Sequence, residues 1–328
     1  MHSLDERPAV PHLIFSGHRC FMNFLALKID VDTLRGTLEG VPPLVSVLQK
    51  YSAQATFLFS LGPDNTGRAL RRVFRPGFLK NVFRTNVAGN YGLKTLMYGT
   101  LIPGPDIGVK GAAAMRAVRD AGFEVGIHTW DHIRWQDFVA RRDADWTARE
   151  FGKAVARFGE VFGAAPKTFG AAGWQINEHV LALQEQFGFD YASDTRGSFP
   201  FLPSMGGRTF RVPQLPTTLP TLDELVGING ITVENVAEHL LKLTQDRPSD
   251  HGQVFTLHAE LEGMALSPVF EKLLAGWRSQ GYELVATRTV AATLDRKTLP
   301  IHTVIMGEVA GRSGTLALQG PACEPITV

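Results

Sequence analysis

The chain is predicted to fold as an α/β protein: a distorted (β/α) barrel of about seven strands, with a helical basic insertion after the second strand and a C-terminal tail. Three observations predict this. Short apolar runs alternate with longer stretches of helical periodicity, the pattern of a parallel sheet covered by helices. The 328 residues, 44% of them hydrophobic, suffice for a large core, and α/β barrels reach this size as one domain. The sequence has no GxGxxG turn, phosphate-binding P-loop or GxSxG elbow, which favours a barrel over an open nucleotide-binding sheet.

In chain order, residues 1–21 read as an irregular extension. Asp5 and Glu6 precede Arg7, and His12, His18 and Arg19 interrupt the apolar stretch, so the segment does not have the pattern of a signal peptide. Residues 22–295 form the expected barrel. Its strands are expected at Phe24–Val31, Ala55–Ser60, Phe123–His128, Lys167–Gly170, Thr209–Val212, Val254–His258 and Tyr282–Val285. Helical periodicity lies between most of them, at Val41–Tyr51, Thr147–Phe162, Glu178–Phe187, Val233–Thr244 and Val269–Gln280. Residues 65–105 interrupt the alternation as a long insertion, and residues 296–328 read as an irregular or β-rich tail. The net charge of +1 argues against a globally basic nucleic-acid binder. Cys20 and Cys323 offer neither a disulfide framework nor a zinc-ribbon spacing. No apolar run approaches the roughly 20 residues that span a bilayer.

The chemistry concentrates at predicted strand ends. Residues i and i+2 of a strand share a face, so Asp30 and Asp32 both point to the barrel mouth and Val31 points away. His128 is placed at the end of another strand, and His132 follows by four, a spacing that one helical turn brings to the same side. His258 ends a third apolar run. Each signal alone has an ordinary structural reading: a turn, a pair of surface histidines, a core histidine. Three strand ends converging on the C-terminal rim of a barrel, where active sites lie, point instead to a metal site. One carboxylate with two imidazoles suits Zn²⁺, Co²⁺, Mn²⁺ or Fe²⁺. The second carboxylate could take a proton from an activated water, and a histidine opposite could protonate a leaving amine.

Asp30-Val-Asp32, His128-Thr-Trp-Asp-His132, Phe169-Gly-Ala-Ala-Gly-Trp174 and Thr256-Leu-His258 resemble the motifs of the polysaccharide deacetylase (NodB homology) superfamily. The resemblance implies a distorted (β/α) barrel that removes acyl groups from sugar amides. It also implies Asp30 as general base, Asp32, His128 and His132 as ligands of one divalent metal, and His258 as general acid. Further segments are similar to the deformylase family that acts on 4-deoxy-4-formamido-L-arabinose carried on undecaprenyl phosphate. These are Lys28-Ile-Asp-Val-Asp-Thr33, Gly62-Pro-Asp-Asn-Thr-Gly67, Ser193-Asp-Thr-Arg-Gly197, Pro213–Pro220, His258-Ala-Glu-Leu-Glu-Gly263 and Gly311-Arg-Ser-Gly314. That resemblance implies a polyprenyl-phosphate-linked formamido sugar as substrate, a place in lipid A modification and polymyxin resistance, and work at the cytoplasmic face of the bacterial inner membrane. A polysaccharide or peptidoglycan N-deacetylase is the alternative.

The general pattern is not followed throughout. The usual adjacent Asp pair is split by Val31, and the third motif lacks the arginine that touches the base. Arg196 is the expected substitute, and Asp194 is expected to orient His258 or Arg196. Trp174 could stack on the sugar, and Glu260 and Glu262 could hydrogen-bond its hydroxyls or amine. The insertion carries Arg68, Arg71, Arg72, Arg75, Lys80, Arg84 and Lys94, with five aromatic residues and no Asp or Glu. Phe78, Leu79, Val82 and Phe83 recur at helical spacing beside Lys80 and Arg84, as in a helix lying on an anionic membrane surface. No nucleic-acid motif competes with that reading.

Overall fold

The structure, a computed structural model, describes residues 23–69, 93–246 and 251–323. Its centre is a seven-stranded, all-parallel sheet. The order is β5 (Tyr191–Ala192), β4 (Thr168–Phe169), β3 (Glu124–Thr129), β2 (Thr56–Ser60), β1 (Phe24–Val31), β8 (Gln253–His258), with β9 (Glu283–Val285) pairing the first residues of β1. Alternation along β1 divides the core. Leu25, Leu27, Ile29 and Val31 pack into the layer between sheet and helices, whereas Phe24 and Ala26 join Tyr191, Leu215, Val254 and Val285 in a second cluster inside the barrel. Lys28 and Asp30 share the parity of that inner face.

Several sequence expectations are corrected. β3 runs one residue later than expected, so His128 is its penultimate residue. Thr209–Val212 is not a barrel strand. Its first residue belongs to β7 (Arg208–Thr209), which lies antiparallel to β6 (Leu202–Met205) in a separate four-stranded sheet, order β11-β10-β6-β7. The place in the barrel is taken by β5, which is only two residues long. The gap between β5 and β8 is closed by Pro213–Pro220. Ala192 N donates to Pro213 O and Leu215 N to Ala192 O, while Thr218 N and Leu219 N donate to Val254 O on the other side. Its three prolines lack N–H donors, which is why this stave is irregular rather than a strand.

The helices match their periodicity, and several start at polar caps. Asp143 accepts from Trp146 N and starts α4 (Ala144–Phe162) three residues ahead of the apolar repeat, Gly163 ends it in the left-handed conformation, and Asn177 caps α5 (Glu178–Gln186). Around them lie α1 (Val41–Lys50), α2 (Ala112–Asp120), α3 (His132–Phe138), α6 (Leu222–Leu225), α7 (Val236–Asp246) and α8 (Ser267–Ser279). The tail is a β-hairpin, β10 (Ile301–Glu308) and β11 (Thr315–Ala322), whose first strand runs parallel to β6. No helix among the described residues is long and apolar enough to cross a membrane.

Candidate active site

Register brings the predicted residues together. Asp30 lies opposite His258 on β8, and both Val31 and Ile127 lie opposite Phe59, so Asp32 and His128 leave the sheet at one level. Asp32 Oδ1 is 3.3 Å from His128 Nε2 and 3.3 Å from His132 Nε2. One ligand atom from each of the three lies within 4.8 Å of the others. His132 does not reach this position through a helical turn from His128. The four-residue step crosses from the end of β3 into α3, which Asp131 caps by accepting from Arg134 N, and the two imidazoles stack with centroids 5.3 Å apart.

The donor set fits a cation. His128 Nδ1 lies 2.7 Å from Gly170 O, so the neutral ring donates its proton there and presents the Nε2 lone pair. Asp32 Oδ1 is buried and has no hydrogen-bond partner. Lone pairs converge here without a proton donor between them, the arrangement a divalent ion resolves. Without an ion, imidazole charge takes its place. Burial alone would raise the Asp32 carboxyl, but the imidazoles of His132 and His128 hold it well below the usual carboxylate range. Burial alone would lower His128, but Asp30 and Asp32 outweigh it and raise it.

Glu260 does not point to a sugar. It is fully buried, and its Oε1 accepts from Asp32 N (3.1 Å), Thr33 N (2.9 Å) and Thr33 Oγ1 (2.7 Å), bracing the turn that presents Asp32. Burial and the nearby Asp32 push its carboxyl well above the usual range. Gly36 permits the approach, since a Cβ there would stand 1.9 Å from Glu260 Oε1. Asp194 contacts neither His258 nor Arg196. It accepts from Ala171 N, Gln184 Nε2 and Gln214 Nε2, tying the third motif to β5 and the irregular stave. Arg196 does not reach Asp30. Its guanidinium pairs with Glu224 and donates to Leu219 O. Trp174 is 2% exposed and ringed by Lys28, Arg196 and Arg312, whose cationic atoms lie 5.2, 5.1 and 4.8 Å from its ring centroid, which leaves no open face for a sugar.

The cation beside Asp30 is Lys28. Fully buried, its Nζ is 3.5 Å from Asp30 Oδ2 and donates to Ser193 O at 3.0 Å. The signal was present in the sequence: a lysine two residues before Asp30 in an otherwise apolar strand must share its face. Asp223 and Arg312, which pair with each other, were not singled out from the sequence, and Glu262, expected to meet the sugar, turns back to the chain. Glu262 Oε2 accepts from His258 N at 2.8 Å, and burial lifts its carboxyl to about 7. Of the basic insertion, Arg68 is exposed and donates to Gly99 O. Arg71, Arg72, Arg75, Lys80 and Arg84 lie outside the described residues.

The chain has counterparts among known proteins. The polysaccharide deacetylase family profile matches residues 26–192. A Shewanella sediminis protein assigned as the 4-deoxy-4-formamido-L-arabinose-phosphoundecaprenol deformylase ArnD is 37% identical over 90% of this chain and 94% of its own. One from Wigglesworthia glossinidia brevipalpis with the same assignment is 32% identical over 87% of this chain and 98% of its own. The crystal structure of a Mycobacterium smegmatis protein assigned as a polysaccharide deacetylase shares the fold, with a TM-score of 0.60 at 17% identity over 93% of this chain and all of that one. The profile spans half of the chain and the two relatives nearly all of it, so the chain belongs to the polysaccharide deacetylase family, hydrolases of amide C–N bonds.

Proposed function

We propose that this protein hydrolyses the formamide of 4-deoxy-4-formamido-L-arabinose carried on undecaprenyl phosphate, giving formate and the 4-amino sugar lipid. The observation that carries the reading is the facing of Asp30 and His258 across neighbouring strands beside the Asp32–His128–His132 group. The assignment of both full-length relatives supports the formyl substrate. A divalent ion (Zn²⁺, Co²⁺, Mn²⁺ or Fe²⁺) held by Asp32, His128 and His132 supplies Lewis acidity to the amide carbonyl and to water. Asp30 takes a proton from the attacking water as its oxygen adds to the formyl carbon. His258 gives a proton to the sugar nitrogen as the C–N bond breaks, so water and amide leave as formate and amine. Lys28 holds the Asp30 carboxylate against the barrel wall during this exchange.

The new amine is cationic at neutral pH, which suits a role in lipid A modification and polymyxin resistance. Formyl and acetyl differ by one methyl, worth about 0.8 kcal/mol of burial, so pocket shape decides between them. The test is formate release from a short-chain lipid phosphate of the formamido sugar by protein loaded with Zn²⁺, Co²⁺ or Mn²⁺. Asp30→Asn is expected to abolish turnover while metal still binds. An enzyme that leaves the formamide intact and deacetylates a peptidoglycan or other polysaccharide fragment would overturn this substrate in favour of the deacetylase alternative.

The basic, aromatic insertion is proposed to rest on the cytoplasmic face of the inner membrane, its cations (Arg68, Arg71, Arg72, Arg75, Lys80, Arg84) near lipid or substrate phosphates. Flotation with anionic liposomes at low salt is expected; protein that stays in the dense fraction would refute peripheral attachment.

A further inference from the structure

His132 is held differently from His128. The His128 imidazole is fixed through its own ring, with Nδ1 2.7 Å from Gly170 O. His132 is the first residue of α3, so its place depends on where that helix starts. The cap, Asp131, is 4% exposed and bonded on both carboxylate oxygens. Its Oδ1 accepts from Arg134 N at 3.0 Å, and its Oδ2 accepts from Asn65 Nδ2 at 2.6 Å.

Asn65 opens the 65–105 insertion, and the described ends of that insertion close around it. Asp64 N donates to Pro105 O at 2.8 Å, Gly67 N to Tyr98 O at 3.0 Å and Arg68 Nε to Gly99 O at 3.0 Å. Gly99, at φ +75°, passes so near that an added Cβ would lie 2.4 Å from Asn65 Oδ1. The same loop braces the other ligand-bearing turn: two residues after Asp32, Leu34 N donates to Asp64 Oδ2 at 3.0 Å. Burial makes the bond to the cap consequential. Asn65 is 8% exposed, and loss of its amide donor leaves a buried carboxylate oxygen of Asp131 short of a partner. Turning the cap would relieve that cost, and the start of α3 would move with it.

Resting on the hydrolase reading above, we infer that Asn65 is a positioning residue of the metal site: by donating to the cap of α3 it sets His132 against Asp32, and it roots the insertion in the metal centre. The path is continuous. Asn65 Nδ2 meets Asp131 Oδ2, Asp131 starts the helix whose first residue is His132, and His132 Nε2 lies 3.3 Å from Asp32 Oδ1. Asn65 acts through Asp131, so its loss should weaken metal binding in protein that still folds.

The test compares full-length wild type with Asn65→Ala, Asn65→Asp and the reciprocal pair Asn65→Asp/Asp131→Asn. In the pair, residue 131 donates to residue 65 and its amide oxygen still accepts from Arg134 N. Zn²⁺ affinity is measured by competition with a chelating dye, and Co²⁺ absorption bands report the ligand geometry; neither needs substrate. Asn65→Ala and Asn65→Asp are each expected to weaken Zn²⁺ binding about 10- to 100-fold, the usual cost of removing an outer partner of a metal ligand, and to shift the Co²⁺ bands. The reciprocal pair should recover most of the affinity, because the two substitutions act on one bond. Wild-type affinity in Asn65→Ala, no recovery in the pair, or a loss of unfolding stability with unchanged affinity would each overturn the inference. Should Asn65→Ala fail to fold, wild-type affinity in Asn65→Asp would overturn it. Gly99→Ala, which presses on Asn65 from within the insertion, should also weaken Zn²⁺ binding; unchanged affinity would refute the link between insertion and metal centre. Failure of the hydrolase reading looks different. A wild type that binds Zn²⁺ yet releases no formate leaves the Asn65 comparison standing, whereas one that binds neither Zn²⁺ nor Co²⁺ overturns the inference with the metal site.

Discussion

Replacing Lys28 by methionine removes the cation that stands beside Asp30 inside the barrel. The ammonium is fully buried, 3.5 Å from Asp30 Oδ2 and 3.0 Å from Ser193 O. At an effective dielectric of about 20, unit charges at that 3.5 Å separation attract by about 5 kcal/mol. Desolvation of the ammonium offsets part of this, but removing one partner leaves the other charge buried and alone, a loss of about 3–5 kcal/mol. Methionine nearly matches the lysine stem in length, so overpacking and cavity terms stay small. Urea unfolding of the metal-free protein should therefore show Lys28→Met less stable by about 3–5 kcal/mol. Asp30→Asn strands Lys28 in the same way, so the double variant should cost less than the two singles together, with a coupling of at least about 2 kcal/mol. A single-variant loss below about 1 kcal/mol, or strictly additive singles, would refute the claim that this pair is a buried, energetically coupled unit.

Glu262 gives the folded protein a pH dependence of definite sign. Burial lifts its carboxyl from 4.5 to about 7, so between those values the folded state keeps a proton that the unfolded chain has released, and stability falls as pH rises. Glu262→Gln should remove about 3 kcal/mol of that decline between pH 4.5 and 8; equal slopes in variant and wild type would exclude the effect. For the metal site, Zn²⁺ or Co²⁺ at a hundredfold excess over its Kd should raise the unfolding free energy by about 2.7 kcal/mol, reversed by a chelator. Asp32→Asn should abolish that increment, and its survival in the variant would remove Asp32 from the ligand set.

The strands that carry Asp30, His128 and His258 were legible because each is a short, mostly apolar run, as expected where both faces of a parallel sheet are covered. β5 was not, because two residues followed by Ser193 and Asp194 carry no local strand signal; their polar groups are satisfied by Leu215 O, Gln184 and Gln214, which are distant in sequence. Thr209–Val212 looks like a strand for local reasons, but what it pairs with depends on tertiary contacts, and it lies outside the barrel. Glu260, Arg196 and Trp174 were polar or aromatic residues near the motifs. Only their burial shows that they brace the site rather than reach into it.

Sequence by itself determined the parity of Asp30 and Asp32, the convergence of three strand ends on one rim, and hence the chemistry of the site. Both follow from strand alternation and from the one-way direction of a parallel barrel, properties of short stretches of chain. The tertiary structure alone decided which cation stands beside Asp30, which carboxylate braces the turn that presents Asp32, and that a hairpin more than 50 residues beyond His258 in the sequence sends Arg312 to Asp223 and Glu224. Those are through-space charge contacts between segments with no fixed spacing, and such contacts leave no periodic trace in the chain.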